Sequence, residues 1–129
     1  MPTLYIIEAQ ALFTPELARL VSAAGARVVG TSEALDLNEL MIAKPEVVLV
    51  DLDFTGYDIA EVLDVLRTEA PAIRPVVLTG ERERGWVEFI RVAGAASVLS
   101  KAASEEELVH DLEVIFAGGS VWDARVEVG

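Results

Sequence analysis

No cysteine occurs among the 129 residues, which excludes disulfides and thiolate chemistry and fits a reducing compartment, with the cytoplasm as the expected location. Basic residues are scarce: 10 Lys and Arg stand against 22 Asp and Glu, a net charge of −12. Phosphate backbones and anionic lipids repel such a chain, so it is expected to bind neither nucleic acid nor membrane directly. No apolar run approaches the ~20 residues of a bilayer span. The N-terminal Met1-Pro2-Thr3-Leu4-Tyr5 lacks a basic stretch followed by a long apolar one, which predicts no signal peptide. Gly-rich phosphate loops of the G-x-G-x-x-G or Walker A type are also missing, and this argues against a flavin or nucleotide binder.

The residues that are present describe one α/β domain. Hydrophobic residues make up 53% of the chain, too many for a disordered segment and enough for a real core. Short apolar runs recur at Leu4-Tyr5-Ile6-Ile7, Val28-Val29, Val47 to Val50, Val76-Val77-Leu78 and Ser97-Val98-Leu99. Between them the period changes to that of a helix. Leu17, Leu20, Val21 and Ala24 form one stripe, stopped by Gly25. Ile59, Val62, Leu63 and Leu66 form another before Pro71, and Trp86, Phe89, Ile90 and Ala93 a third before Gly94. Leu108, Leu112, Ile115 and Phe116 form the last, and a weaker helix covers Leu35 to Ala43 ahead of Pro45. Trp86 and Phe89 are read as core. Thr14-Pro15 predicts a helix starting at Pro15 with Thr14 as its cap, leaving Glu8 to Phe13 as a loop; the alternative is a start at Ala11. Alternating strands and helices favour a parallel sheet with helices on both faces. Residues 1–117 are expected to form the domain and 118–129 a C-terminal tail.

Chemistry concentrates where the strands end. In an open α/β sheet the C-terminal strand ends line one crevice, and here they carry Glu8, Asp51, Thr79 and Lys101. A carboxylate can attack phosphorus to give an acyl phosphate, and the protein then has to position the donor and neutralise its oxygens. Mg²⁺ held by carboxylates, the Lys101 ammonium, the Thr79 hydroxyl and the backbone at Gly80 suit that task. Taken singly, Asp51 could cap a loop and Lys101 could be a surface cation; the combination favours a shared site.

Three stretches carry a resemblance. Val48-Leu49-Val50-Asp51-Leu52 with Gly56, Val76-Val77-Leu78-Thr79-Gly80, and Ala93 through Lys101 leading to Glu106-Glu107-Leu108 are similar to the receiver domains of two-component response regulators, over nearly the whole chain. Val28-Val29-Gly30-Thr31 and Ala117-Gly118-Gly119-Ser120-Val121-Trp122 resemble the subfamily whose receiver precedes a helix-turn-helix domain, so 118–129 could begin a linker to an effector outside these residues. The resemblance implies a flavodoxin-like (βα)5 fold of strand order 2-1-3-4-5. It implies Asp51 as phosphoacceptor, Thr79 as switch hydroxyl and Lys101 as phosphate-pairing cation. It further implies a signalling protein rather than an enzyme, a histidine kinase or small phosphodonor as partner, and a homodimer through helix four, strand five and helix five.

The chain departs from that pattern at three places. Glu8-Ala9 replaces two adjacent acids, Val98 replaces an aromatic, and Thr55 replaces a proline. Ala9 has no oxygen to offer a metal, and Asp53 is a candidate substitute, giving a Mg²⁺ site of Glu8, Asp51 and Asp53. The alternative is a degenerate receiver acting as a phosphate-independent dimerisation or docking module. His110 is expected on a helix surface and Ser104 as a helix cap. Glu105-Glu106-Glu107 would face a helix dipole, and Glu81-Arg82-Glu83-Arg84 a solvated helix start.

Overall fold

Each apolar run becomes a strand of one parallel sheet. A computed structural model describes residues 1–52, 58–80 and 84–122, with position 84 described as backbone only. The strands are β1 (Thr3–Glu8), β2 (Arg27–Ser32), β3 (Val47–Asp51), β4 (Arg74–Thr79) and β5 (Ser97–Ser100). They are ordered β2-β1-β3-β4-β5, the order expected, and every pairing is parallel. Central β3 is buried throughout, whereas edge strand β2 is half-buried or exposed along its length.

The helices are α1 (Thr14–Ala23), α2 (Leu37–Ala43), α3 (Ile59–Glu69), α4 (Arg84–Ala93) and α5 (Glu105–Phe116). One face of the sheet, through Leu4, Ile6, Leu49 and Leu99, packs on α1 and α5 by way of Leu20, Val21, Leu112 and Ile115. The other face carries Tyr5, Ile7, Val48 and Val50 against α2 and α3, and Val77 and Val98 against α4. Local sequence sets the helix ends. The Asp36 and Asp58 side chains accept N–H bonds from Glu39 and Ala60. Ser104 and Glu107 form a reciprocal capping box at α5, with Glu105, Glu106 and Glu107 in the first turn. Gly25 (φ +93°) and Gly94 (φ +122°) take the left-handed conformation that ends α1 and α4. No helix among the described residues is long and apolar enough to cross a membrane.

Three local expectations change. Thr14 does not cap α1: Ala11–Phe13 form a 3-10 turn that runs directly into the helix, with Phe13 at its N-cap and no side-chain cap. Pro15 falls in the first helical turn, where its missing N–H is not needed, so both starting points contain part of the answer. Phe89 is not core. It is 54% exposed, and Val87 and Ile90 fill that side of α4 instead, with Trp86 half-buried. Residues 118–122 stay on the domain, running beside β5. His110 lies exposed on α5. Thr55, Gly56 and Glu81-Arg82-Glu83 lie outside the described residues.

Candidate functional site

Strand alternation explains why the site forms. Residues of one parity along a strand share a face. On β1, Leu4 and Ile6 face α1 and α5, and Glu8 is next in that series; on β3, Val47 and Leu49 lead to Asp51 in the same way. On β5, Leu99 leads to Lys101, one residue beyond the strand. The register makes Glu8 and Asp51 direct neighbours, and the Ala9 N–H donates to the Asp51 carbonyl at 3.0 Å. Thr79 ends β4 opposite Ser100, and the Lys101 N–H donates to the Thr79 carbonyl at 2.9 Å. Glu8, Asp51, Thr79 and Lys101 are therefore brought to one end of the sheet, as the sequence predicts. Gly80 follows Thr79 and is exposed.

The site is polar and nearly sealed. Glu8 is 1% exposed, Asp51 4% and Thr79 1%. Lys101 Nζ lies 2.7 Å from Asp51 Oδ1, a charge-assisted contact with the ammonium partly exposed and the carboxylate buried. The Ser100 hydroxyl accepts the Ala102 N–H at 3.0 Å and so fixes the turn that carries Lys101. Glu8 Oε1 accepts the Gln10 N–H at 3.0 Å, whereas Oε2 is buried without a hydrogen-bond donor among the described residues. Its neighbour is the Asp51 carboxylate, which only accepts unless one of the pair holds a proton. The Glu8 carboxyl is accordingly pushed up to about 8, first by burial and then by a hydrogen bond to Asp51, with Gln10 and Lys101 acting in the opposite direction.

Two buried carboxylates, one with an oxygen that meets no hydrogen-bond partner among the described residues, are hard donors suited to a divalent cation. Among the described residues no third acid joins them, and Asp53 lies outside those residues. Ala9 is turned to the opposite face, packed with the Tyr5 and Ile7 side of the sheet. Sequence reasoning did not single out the Gln10 N–H or Arg74, and named Trp122 only within the resemblance after the last helix. A backbone donor leaves no trace in residue identity. The Gly118-Gly119 turn followed by Val121-Trp122 was the available signal for Trp122.

No protein-family model matches the chain. Curated relatives do. The response regulator GacA of Pseudomonas aeruginosa is 33% identical over 96 residues, covering 73% of this chain and 45% of that protein. The chain spans less than half the length of the curated relatives it matches. The signal receiver domain of the response regulator NarL from Mycobacterium tuberculosis superposes with a TM-score of 0.78 at 25% identity, covering 91% of this chain and 97% of that one. A LuxR-family DNA-binding response regulator from Staphylococcus aureus gives 0.73 at 25% identity, over 85% and 94%. By sequence and by fold, the chain belongs to the receiver domains of response regulators.

Proposed function

We propose that the chain receives a phosphoryl group on Asp51 in two-component signalling. The contact between Lys101 Nζ and Asp51 Oδ1, with a buried Glu8 oxygen that meets no donor among the described residues, is the observation that carries this reading. An Asp51 carboxylate oxygen attacks phosphorus, the new O–P bond forms, and the donor's leaving group departs with the electrons of the broken bond. Lys101 then pairs with a phosphoryl oxygen, and Thr79 with the backbone at Gly80 supplies further donors. Mg²⁺ held by Glu8 and Asp51, with Asp53 as a candidate third ligand, would neutralise charge on the phosphoryl oxygens. The donor is a histidine kinase or a small acyl phosphate.

The bound phosphoryl group biases a two-state equilibrium in the loop after β4 and in α4. The output is dimerisation through α4, β5 and α5, or control of an effector joined through the residues after Trp122, beyond a receiver that includes the docked 118–122 stretch. Acting in the cytoplasm as a signalling protein rather than an enzyme, the chain would regulate transcription, a role in keeping with relatives described as a transcriptional regulatory protein and a response regulator. Intact-mass measurement after incubation with Mg²⁺ and acetyl phosphate tests the reading. One phosphoryl adduct is expected, and Asp51→Asn should abolish it. No adduct from the small donor or from histidine kinases would replace this reading with a phosphate-independent docking module.

A further inference from the structure

Residues 118–122 make contacts that phosphoryl transfer does not use. Gly118 (φ +99°) turns the chain after α5, and the Gly119 N–H donates to the Val114 carbonyl at 2.9 Å. Arg74, at the start of β4, grips this turn: Nη1 donates to the Ile115 carbonyl at 2.8 Å and Nη2 to the Gly119 carbonyl at 2.7 Å. The chain then runs parallel to β5. The Val98 N–H donates to the Val121 carbonyl at 2.9 Å, the Val121 N–H donates to the buried Ser97 hydroxyl at 2.9 Å, and Val98 bridges to Trp122. The Trp122 side chain packs against the cluster of Val77, Val87, Ile90 and Val98, and the Arg91 guanidinium lies 5.2 Å from its ring centroid.

The two halves of this contact differ in kind. Arg74, Ser97 and Val98 hold the segment to the sheet. Arg91, Val87 and Ile90 belong to α4, so the environment of the indole depends on where that helix lies. Arg91 Nη1 is also 3.9 Å from Glu88 one turn earlier on α4, an alternative partner when the ring is withdrawn. The α4 helix follows the Thr79-Gly80 end of β4, the side of the site that a phosphoryl group would engage.

We propose that Trp122, docked between β5 and α4 by the chain's own 119–122 segment, is the element that senses the position of α4 and conveys it to the residues that follow. The inference rests on the receiver reading, because phosphorylation of Asp51 is what moves α4 in it. By reciprocity, whatever disturbs Trp122 must also alter the balance of states at the site.

The test is NMR of the 129-residue chain with Mg²⁺ and acetyl phosphate, with intact mass read on the same sample. Trp86→Phe assigns the two indole signals. Phosphorylation should shift the Trp122 indole N–H and speed exchange of the Val98 amide by on the order of tenfold, the loss of about one hydrogen bond. Asp51→Asn should show neither change. Without any donor, Arg91→Gln should shift the same indole signal, because it removes the α4 half of the dock while leaving Asp51 untouched. An adduct on Asp51 with both signals unmoved overturns the sensor role alone, and so does an Arg91→Gln spectrum identical to that of the native chain. Absence of an adduct from both acetyl phosphate and histidine kinases removes the phosphoacceptor reading, and the sensor role with it.

Discussion

The two faces of β1 each bury an oxygen without a hydrogen-bond partner among the described residues, three residues apart, and they use it differently. On one face Glu8 Oε2 sits beside Asp51, with Lys101 pairing that carboxylate at 2.7 Å. On the other, the Tyr5 side chain lies under α2, fully buried, and the ionisation of its hydroxyl is pushed up to about 12, mainly by burial. Ser32 and Glu39 lie close enough to influence that ionisation, yet neither meets hydrogen-bond geometry with the hydroxyl. A carboxyl oxygen next to another carboxylate creates a demand for a proton or a cation. A neutral phenol outside hydrogen-bond geometry carries only the desolvation cost of a hydroxyl, about 1–3 kcal/mol, and creates no demand for a cation. Unsatisfied buried polarity therefore points to chemistry when a second charge shares it.

The largest break in this comparison comes from Glu8→Gln. The folded-state pKa of Glu8 lies above its ordinary 4.5, at about 8. Its stability contribution is therefore fully present below pH 4.5 and is lost as pH rises through 8. Urea denaturation of the native chain without Mg²⁺ should show stability falling across that window. In Glu8→Gln the fall should flatten, leaving the variant more stable at pH 9 by on the order of a few kcal/mol. Parallel pH profiles for the two proteins would contradict the strained pair.

On the Tyr5 face the limit is space. A Cβ on Gly30 would lie 2.5 Å and 2.8 Å from two carbons of the Tyr5 ring, at the register irregularity between β1 and β2. Gly30→Ala should lower stability by about 1–3 kcal/mol, read from thermal or urea melts. The loss should shrink in the Tyr5→Leu background, where the ring is gone. Additive losses would show that the clash lies elsewhere.

Tyr5→Phe is the mildest change. Removing a hydroxyl that meets no partner among the described residues should leave stability within about 0.5 kcal/mol of native, or raise it. A clear loss would mean that Ser32 or Glu39 holds the hydroxyl in solution, and the contrast between the two faces would weaken.

Much of this was legible in the residues. The strands were visible because a sheet covered on both faces demands unbroken apolar runs, and Val47 to Val50 supplies one. Glu8, Asp51, Thr79 and Lys101 could be grouped from sequence because each stands at or just past the end of such a run. Phe89 was misread because Trp86, Phe89, Ile90 and Ala93 fit a helical stripe, yet the face of α4 that meets the sheet is centred on Val87 and Ile90. The Thr14 cap failed for a related reason: its residue type suits a cap, but the preceding 3-10 turn already supplies helical backbone. The docking of 118–122 depends on Arg74, some 45 positions earlier, and local pattern does not reveal a contact across that separation.

The hydrogen bond from Val98 to Val121 has a practical consequence for where this domain can be cut. Ending the chain at residue 117 would strip the cover from β5 and bare its outer backbone amides beside an apolar surface. Such an edge offers a template to any other extended chain. Material shortened in that way should self-associate and come out of solution at concentrations where protein reaching Trp122 stays dispersed.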